Sequence, residues 1–454
     1  MGDKFRLRDA VHGLIGFGDS EPDRTAVQCL SAPEFQRLRR IKQLGFSEFV
    51  FDGAAHTRFA HSVGVFHTAR KILDLIRSLD LGGEEERVHE AALGALLHDV
   101  GHGPFSHTFE QVQKKTNPKK RKKHEKWSGE IICGSNTIVN ALGLNRAESI
   151  SDMLRRDEPL DIYDSVVSSQ FDADRLDYLI RDRYMTGVQF GAVDLEWLLD
   201  NLRVSEVPVS APSDDSDGSL APGFYLDIKG FRAAEEYLLA RYHLYEQVYL
   251  HKTTRGAEQM LQELLFRFAQ LAQANDAHTL NVSRSNPLFV FFSTDDPSLG
   301  EYLSLDDTVI WATLQDLKSA KEETIADLAE RLLTRNLYKC FDIGREAQNH
   351  ANKAAIARFL PRFEQLRSEQ EHHKFLIDDA ELSPYKLKGF DEPGALQKVL
   401  VNVRGSEPPY LSDIADESPI INALKTKPVK LVRVYGPTHE SLQQVRELWQ
   451  EVAG

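Results

Sequence analysis

Histidine and aspartate recur in this chain at places where such side chains could meet around a cation. His61 stands in HTRFAHSVG, His98 and Asp99 stand together in ALLHDVGHGPFSH, and Asp174 stands in FDADRLDYLIRD. Two imidazoles and two carboxylates suit a divalent ion such as Fe, Mn, Zn or Mg, and they leave positions open for water and phosphate oxygens. Spacing alone keeps Asp172, Asp177 and Asp182 as alternatives to Asp174. A lone histidine on an apolar helix is more often a satisfied core or surface residue. Four such residues together, flanked by Gly, Pro and Arg, point to a site. A run of Lys114, Lys115, Lys119, Lys120, Arg121, Lys122 and Lys123 leads into His124, and reads as a solvated loop or as one that steers anions.

Helices must carry these side chains. Val63, Phe66, Ala69, Leu73 and Ile76 form an apolar stripe that predicts a helix over 59–79. An Ala- and Leu-rich segment predicts another over 86–98, stopped by Asp-Val-Gly. Adjacent His98 and Asp99 would diverge on a regular helix, but a frayed end before Gly101 lets both reach one ion. Helical patterning continues over 127–142, 147–156, 174–185, 191–203, 230–247 and 252–275. Upstream, 1–20 reads as an extended lead-in with turns. Pro33, after Ser31 as a cap, opens a helix that runs through Phe35, Leu38, Ile41 and Leu44 to Gly45.

The Pro-, Ser-, Asp- and Gly-dense stretch 207–223 predicts a loop between short strands at 202–206 and 224–228. Past about 280, PLFVFF (287–292) and KLVRVY (430–435) read as strands among helices at 314–334 and 354–373. The expected architecture is mainly α, with a helical core over 1–275 and a few short strands. An α+β region over 276–454 would follow, serving oligomerisation or regulation.

The 454 residues carry a formal charge of −14, so the surface as a whole repels nucleic acid. No apolar run approaches the roughly 18 residues of a membrane span, and the N-terminal MGDKFRLRDAVHG lacks a secretory signal. Three scattered cysteines, Cys29, Cys133 and Cys340, fit a reducing cytoplasm rather than a disulfide scaffold.

The pattern His, His-Asp, distant Asp resembles the HD superfamily of phosphohydrolases. Within it, the chain resembles the HD-domain deoxynucleoside triphosphate triphosphohydrolases over about residues 5–270. The likeness rests on PEFQRLRRIKQLG (33–45), HTRFAHSVGV (56–65), HDVGHGPFSH (98–107), HE (124–125), DADRLDYLIRD (172–182) and YEQVYLHK (245–252). No sterile-alpha-motif domain of the kind found in the vertebrate enzyme is expected ahead of it.

The resemblance implies a role for each matching residue. His61, His98, Asp99 and Asp174 would hold the metal. His102, His107 and His124 would surround the α-phosphate, with His107 as general acid and Glu110, usually Asp in relatives, polarising it. Arg58, Arg175, Arg241 and Lys252 would take the phosphates, although Arg175 stands where the best-studied relative has Lys. Tyr178 and Asp182 would meet the sugar, and Gln43 and Tyr249 would check its 2′ position. Magnesium would accompany the nucleotide, and a dimer or tetramer would be the working assembly. Ser31 stands where the allosteric vertebrate enzyme has an Asp that reads guanine, so activation by a guanine nucleotide is not expected, although Arg39 keeps a basic residue of that site. Two other readings stay open: a nuclease on single-stranded DNA or RNA guided by the lysine run, and a non-catalytic nucleotide sensor.

Overall fold

A computed structural model describes residues 5–79, 85–117, 122–208, 220–349, 353–369, 375–382, 396, 398–406, 408–426 and 429–453. The chain is mainly helical with three small sheets. It opens with a hairpin of β1 (Arg6–Asp9) and β2 (Gly13–Gly16), turned at Gly13 with φ +70°, a conformation that costs glycine little. Helix Glu21–Leu30 follows, capped by Ser20. The sequence reading missed this helix and took Ser31 as an N-cap. Ser31 instead closes Glu21–Leu30, and the next helix starts at Ala32 with no side-chain cap and runs only through Pro33–Gln36 before tightening into a 3-10 turn over Arg37–Arg40.

The long helix Arg58–Ser78 packs on Glu85–Leu97 and Ala173–Thr186. Phe66, Ile72, Leu93, Leu96, Leu97, Leu176 and Leu179 are fully buried there, each burial contributing about 1.5–3 kcal/mol. The 127–142 segment is two helices, His124–Gly134 and Asn136–Leu142, because Ser135 caps a new start at Ile138 N. The two expected strands form as β3 (Leu202–Pro208) and β4 (Leu220–Leu226) and pair antiparallel. The ends of the stretch read as loop over 207–223 are therefore strand, because cross-strand pairing extends them, and 209–219 lie outside the described residues. Helix Phe231–Leu244 runs into a π turn at Tyr245–Tyr249, and Lys252–Gln273 follows.

PLFVFF is a helix, Pro287–Phe292, and not a strand. A short, continuous apolar run has no period to separate the two states. Asn286 decides it locally by accepting the Leu288 and Phe289 amides, with Pro287 in the first turn. Phe289, Phe291 and Phe292 enter a second core with Phe109, Leu261 and Phe268.

The last third forms β5 (Lys339–Asp342), β6 (Leu376–Leu382), β7 (Leu400–Asn402), β8 (Leu411–Asp413) and β9 (Val429–Gly436). KLVRVY is thus a strand, the centre of the sheet β5-β9-β6. Strand β7 joins β4 in parallel and carries β8, so late residues complete a sheet begun near residue 202. Helices Lys353–Glu369 and Gln443–Ala453 cover β9 through Phe359, Phe363 and Trp449.

Candidate active site

His61 lies in the first turn of Arg58–Ser78, and His98 and Asp99 fall just past the end of Glu85–Leu97. Asp174 starts the helix that Asp172 caps. The structure brings all four together. His61 Nε2 is 3.0 Å from Asp174 Oδ1 and 3.9 Å from Asp99 Oδ2. His98 Nε2 is 3.3 Å from Asp99 Oδ1 and 3.8 Å from Asp174 Oδ1. Donor atoms of His61, His98 and Asp99 lie within 4.8 Å of one another.

The far ring nitrogens are held. His98 Nδ1 bonds the Ala95 carbonyl at 2.8 Å and His61 Nδ1 bonds Asp177 at 2.8 Å, the arrangement that orients imidazoles toward a metal. His98 Nε2 is buried with no hydrogen-bond partner, an orphaned donor atom facing two carboxylates. Burial opposes charge on His61, yet Asp174 and Asp177 raise its pKa to about 10, so the cluster strongly favours a positive charge. Burial likewise opposes ionisation of Asp99, but Arg58, His98 and His102 keep it well below the usual carboxylate range. The residues fit a divalent cation.

The alternatives left by spacing find other work. Asp172 accepts the Arg175 and Ser169 amides and pairs with the Arg175 side chain. Asp177 stands behind His61. Asp182 accepts His56 at 2.7 Å and the Tyr249 hydroxyl at 2.6 Å.

Gly101 lets the histidine-rich turn lie against helix His124–Gly134, since a Cβ there would sit 2.2 Å from Ser128 N and 2.3 Å from the His124 carbonyl. Buried His102 approaches Asp99 at 3.1 Å and stacks on His124 at 4.0 Å. Phe105 and Ser106 both take positive φ, 49° and 45°, a conformation costing on the order of 1–3 kcal/mol per non-glycine residue. Asp307 accepts the Phe105 amide and Arg58 donates to the Ser106 hydroxyl, and these bonds hold the turn. The turn leaves His107 exposed at the start of its helix, with 74% of its side chain accessible. Glu110 sits 3.6 Å from His107 but 2.7 Å from His124 Nδ1, and it also accepts the His124 amide. It therefore grips His124 more closely than the His107 that sequence reasoning assigned it. Burial would raise Glu110, but both histidines pull it far below its ordinary range, while Glu110 raises His124 against its own burial.

A cavity of about 690 Å³ opens beside the cluster. Gln43, Arg58, His107, Asp174, Arg175, Tyr178, Asp182, Arg241 and Tyr249 line it, along with Lys115 from the lysine run. Gln43 Oε1, Arg175 Nε and Arg241 Nε are buried there without partners. Arg58 also donates to Asp99 at 2.6 Å, and Arg241 donates to Gln170 at 2.9 Å. Lys252 begins its helix, exposed and outside the cavity lining. Lys122 pairs with Glu130 over the Trp127 ring; Lys119, Lys120 and Arg121 lie outside the described residues. Sequence reasoning missed Asp9 and His12, which no motif announced, and gave no role to His56 and Arg181, although both lie within quoted motifs. It also missed the far wall of the cavity, Ile377–Asp379 on β6 with Arg255 and Glu258.

Residues 58–179 match the HD domain family, and 219–304 match the HD associated region. The chain is 32% identical to the uncharacterized protein YwfO of Bacillus subtilis over 73% of its own length and 71% of that protein. It is 29% identical to a protein of Dictyostelium discoideum named deoxynucleoside triphosphate triphosphohydrolase SAMHD1 homolog, over 74% of this chain and 60% of that one. A phosphohydrolase structure from Bacteroides thetaiotaomicron superposes with TM-score 0.71 at 25% identity, covering 96% of this chain and all of that one. The sequence kinship, the shared fold and the clustered His-His-Asp donors agree: the chain belongs to the HD-domain family of phosphohydrolases.

Proposed function

We propose that this protein hydrolyses deoxynucleoside triphosphates at the α-phosphate, releasing deoxynucleoside and intact triphosphate. The observation that carries the reading is the orphaned His98 Nε2 facing Asp99 and Asp174 at the edge of a cavity that Arg58, Arg175 and Arg241 also line. His61, His98, Asp99 and Asp174 would hold the ion (Fe, Mn, Zn or Mg). Once held there, it supplies Lewis acidity, which makes water nucleophilic near neutral pH.

The chain's own groups do the rest. A triphosphate, arriving with magnesium, would lie along Arg58, Arg175 and Arg241, whose positive charges offset its own, with Arg175 and Arg241 each keeping an unpartnered Nε. Water adds to the α-phosphorus as its bond to the 5′ oxygen breaks, and His107 donates the proton that the leaving oxygen needs. His102 and His124, stacked beside it, flank the α-phosphate, with Glu110 holding His124 in place. Asp182 holds the Tyr249 hydroxyl, so the Tyr249 ring is set where, with Gln43, it would exclude a 2′-hydroxyl, while Tyr178 and Asp182 would meet the sugar. Lys252 would meet phosphate only after its side chain turned inward.

The proposed catalytic residues all fall within 1–275, while 276–454 completes the cavity wall with Ile377–Asp379 and would also serve assembly or regulation, with a dimer or tetramer as the working state. No described helix is long and apolar enough to cross a membrane, and the three cysteines are unbridged, which supports a cytoplasmic setting. Incubation with each nucleotide and with labelled single-stranded DNA, in Mn or Mg, tests the activity. Free triphosphate from a deoxynucleotide, identified by chromatography, is the expected product. Shortened DNA beside intact nucleotides would instead establish a nuclease, and ligand binding with no product would establish a sensor.

A further inference from the structure

The N-terminal hairpin lies outside the cavity, yet its tip reaches the back of the metal cluster. His12 Nε2 bonds Asp177 Oδ1 at 2.6 Å, and Asp177 Oδ2 bonds His61 Nδ1 at 2.8 Å. Arg181 donates to both oxygens of Asp177, at 2.8 and 3.0 Å, and to both oxygens of Asp9, at 2.8 and 3.2 Å. Asp9 in turn accepts the Val11 and His12 amides, which fixes the hairpin turn. Each Asp177 oxygen therefore receives two bonds. Asp177 and Arg181 are almost wholly buried, and so is the His12 side chain. Gly64, one turn after His61, makes room for this group, because a Cβ there would stand 2.0 Å from Asp177 Oδ1.

We propose that the hairpin is a positioning element: His12 and Asp9, acting through Asp177 and Arg181, fix the orientation in which His61 presents Nε2 to the metal. The inference rests on reading His61 as a ligand. Simple anchoring does not account for the network. Phe17 stacked on Phe66 already holds the hairpin, as does Arg70 bonding the Gly16 carbonyl. Buried ionic groups are costly to desolvate, and an apolar plug would anchor a hairpin as well. What an apolar plug could not do is hold the rotation and tautomer of His61.

The test titrates metal-stripped protein with Mn²⁺ by calorimetry and melts the same samples without metal. Loss of a group bonded directly to a ligating histidine typically weakens metal binding by about 10–100-fold. His12 acts one bond further out, through Asp177, so a loss at the lower end, about tenfold, applies. His12→Phe is expected to raise the Mn²⁺ dissociation constant by that factor. His12→Gln, whose amide can donate from nearly the same place, is expected to recover most of the affinity. Arg70→Gln, which loosens the hairpin elsewhere, is expected to lower the metal-free melting temperature and leave the dissociation constant unchanged. If His12→Phe does not fold, Asp9→Asn is judged by the same criterion. A dissociation constant within twofold of wild type in the folded variant overturns the positioning role while leaving the metal reading intact. A wild-type protein that takes up no Mn²⁺ overturns both.

Discussion

Two histidine clusters meet at Asp99, and they are built differently. In the first, His61 sits in the first turn of one helix and His98 just past the end of another, and each has its outer nitrogen tied to a fixed acceptor. In the second, His102 and His124 stack, while His107 stands in solvent on a turn held in two positive-φ residues. A group that must keep one geometry around an ion profits from burial and bracing. A group that must meet a leaving oxygen and exchange a proton with water profits from exposure. The contrast supports the proposed division of metal binding by the first cluster and proton transfer by the second.

The largest effect should come from the first cluster. His98→Ala is expected to abolish deoxynucleotide hydrolysis, a loss of at least about 10³-fold or roughly 4 kcal/mol of transition-state stabilisation, with the circular dichroism spectrum unchanged. Activity surviving in a metal-stripped preparation would break the comparison at its root. His107→Ala should lower kcat by about 10²–10⁴-fold and leave metal content, measured by elemental analysis, as in wild type. A drop in bound metal would place His107 with the ligands instead.

Gly101→Ala probes the seam between the clusters. Its Cβ would force apart the turn and the His124 helix, costing about 1–3 kcal/mol of stability by overpacking and about 10²-fold in rate if the groups shift by an ångström. Melting and kinetics together separate those two losses. Glu110→Asp should have the smallest effect. It keeps the charge on a shorter arm, so a loss of under about tenfold in kcat is expected, in line with one weakened hydrogen bond. An unchanged rate would mean that the contact with His124 does not matter to catalysis.

The donor set and the pocket arginines were legible because motif and period agreed. His61, His98, Asp99 and Asp174 converge, and Arg58, Arg175 and Arg241 share one cavity. Long amphipathic helices such as Arg58–Ser78 were legible for the same reason. PLFVFF was not, because its apolar side chains have no periodicity and the deciding signal was one capping asparagine. Glu21–Leu30 was overlooked although Ser20 and Pro22 mark its start. Asp9 and His12 could not be found, because their meaning lies in a contact with Asp177, 165 residues away from His12. No local pattern encodes such a contact.

The sheet β5-β9-β6 reaches back to the substrate cavity. Arg433 on β9 grips the Leu250 carbonyl at 2.5 Å, next to Tyr249, and Asp378 on β6 takes both arms of Arg255 in the cavity wall. A fragment trimmed after the long Lys252–Gln273 helix would strip Arg255 of this carboxylate and leave the Leu250 carbonyl, next to Tyr249, without its Arg433 partner. The smallest piece of this chain able to enclose its cavity must therefore include the final strand among the described residues.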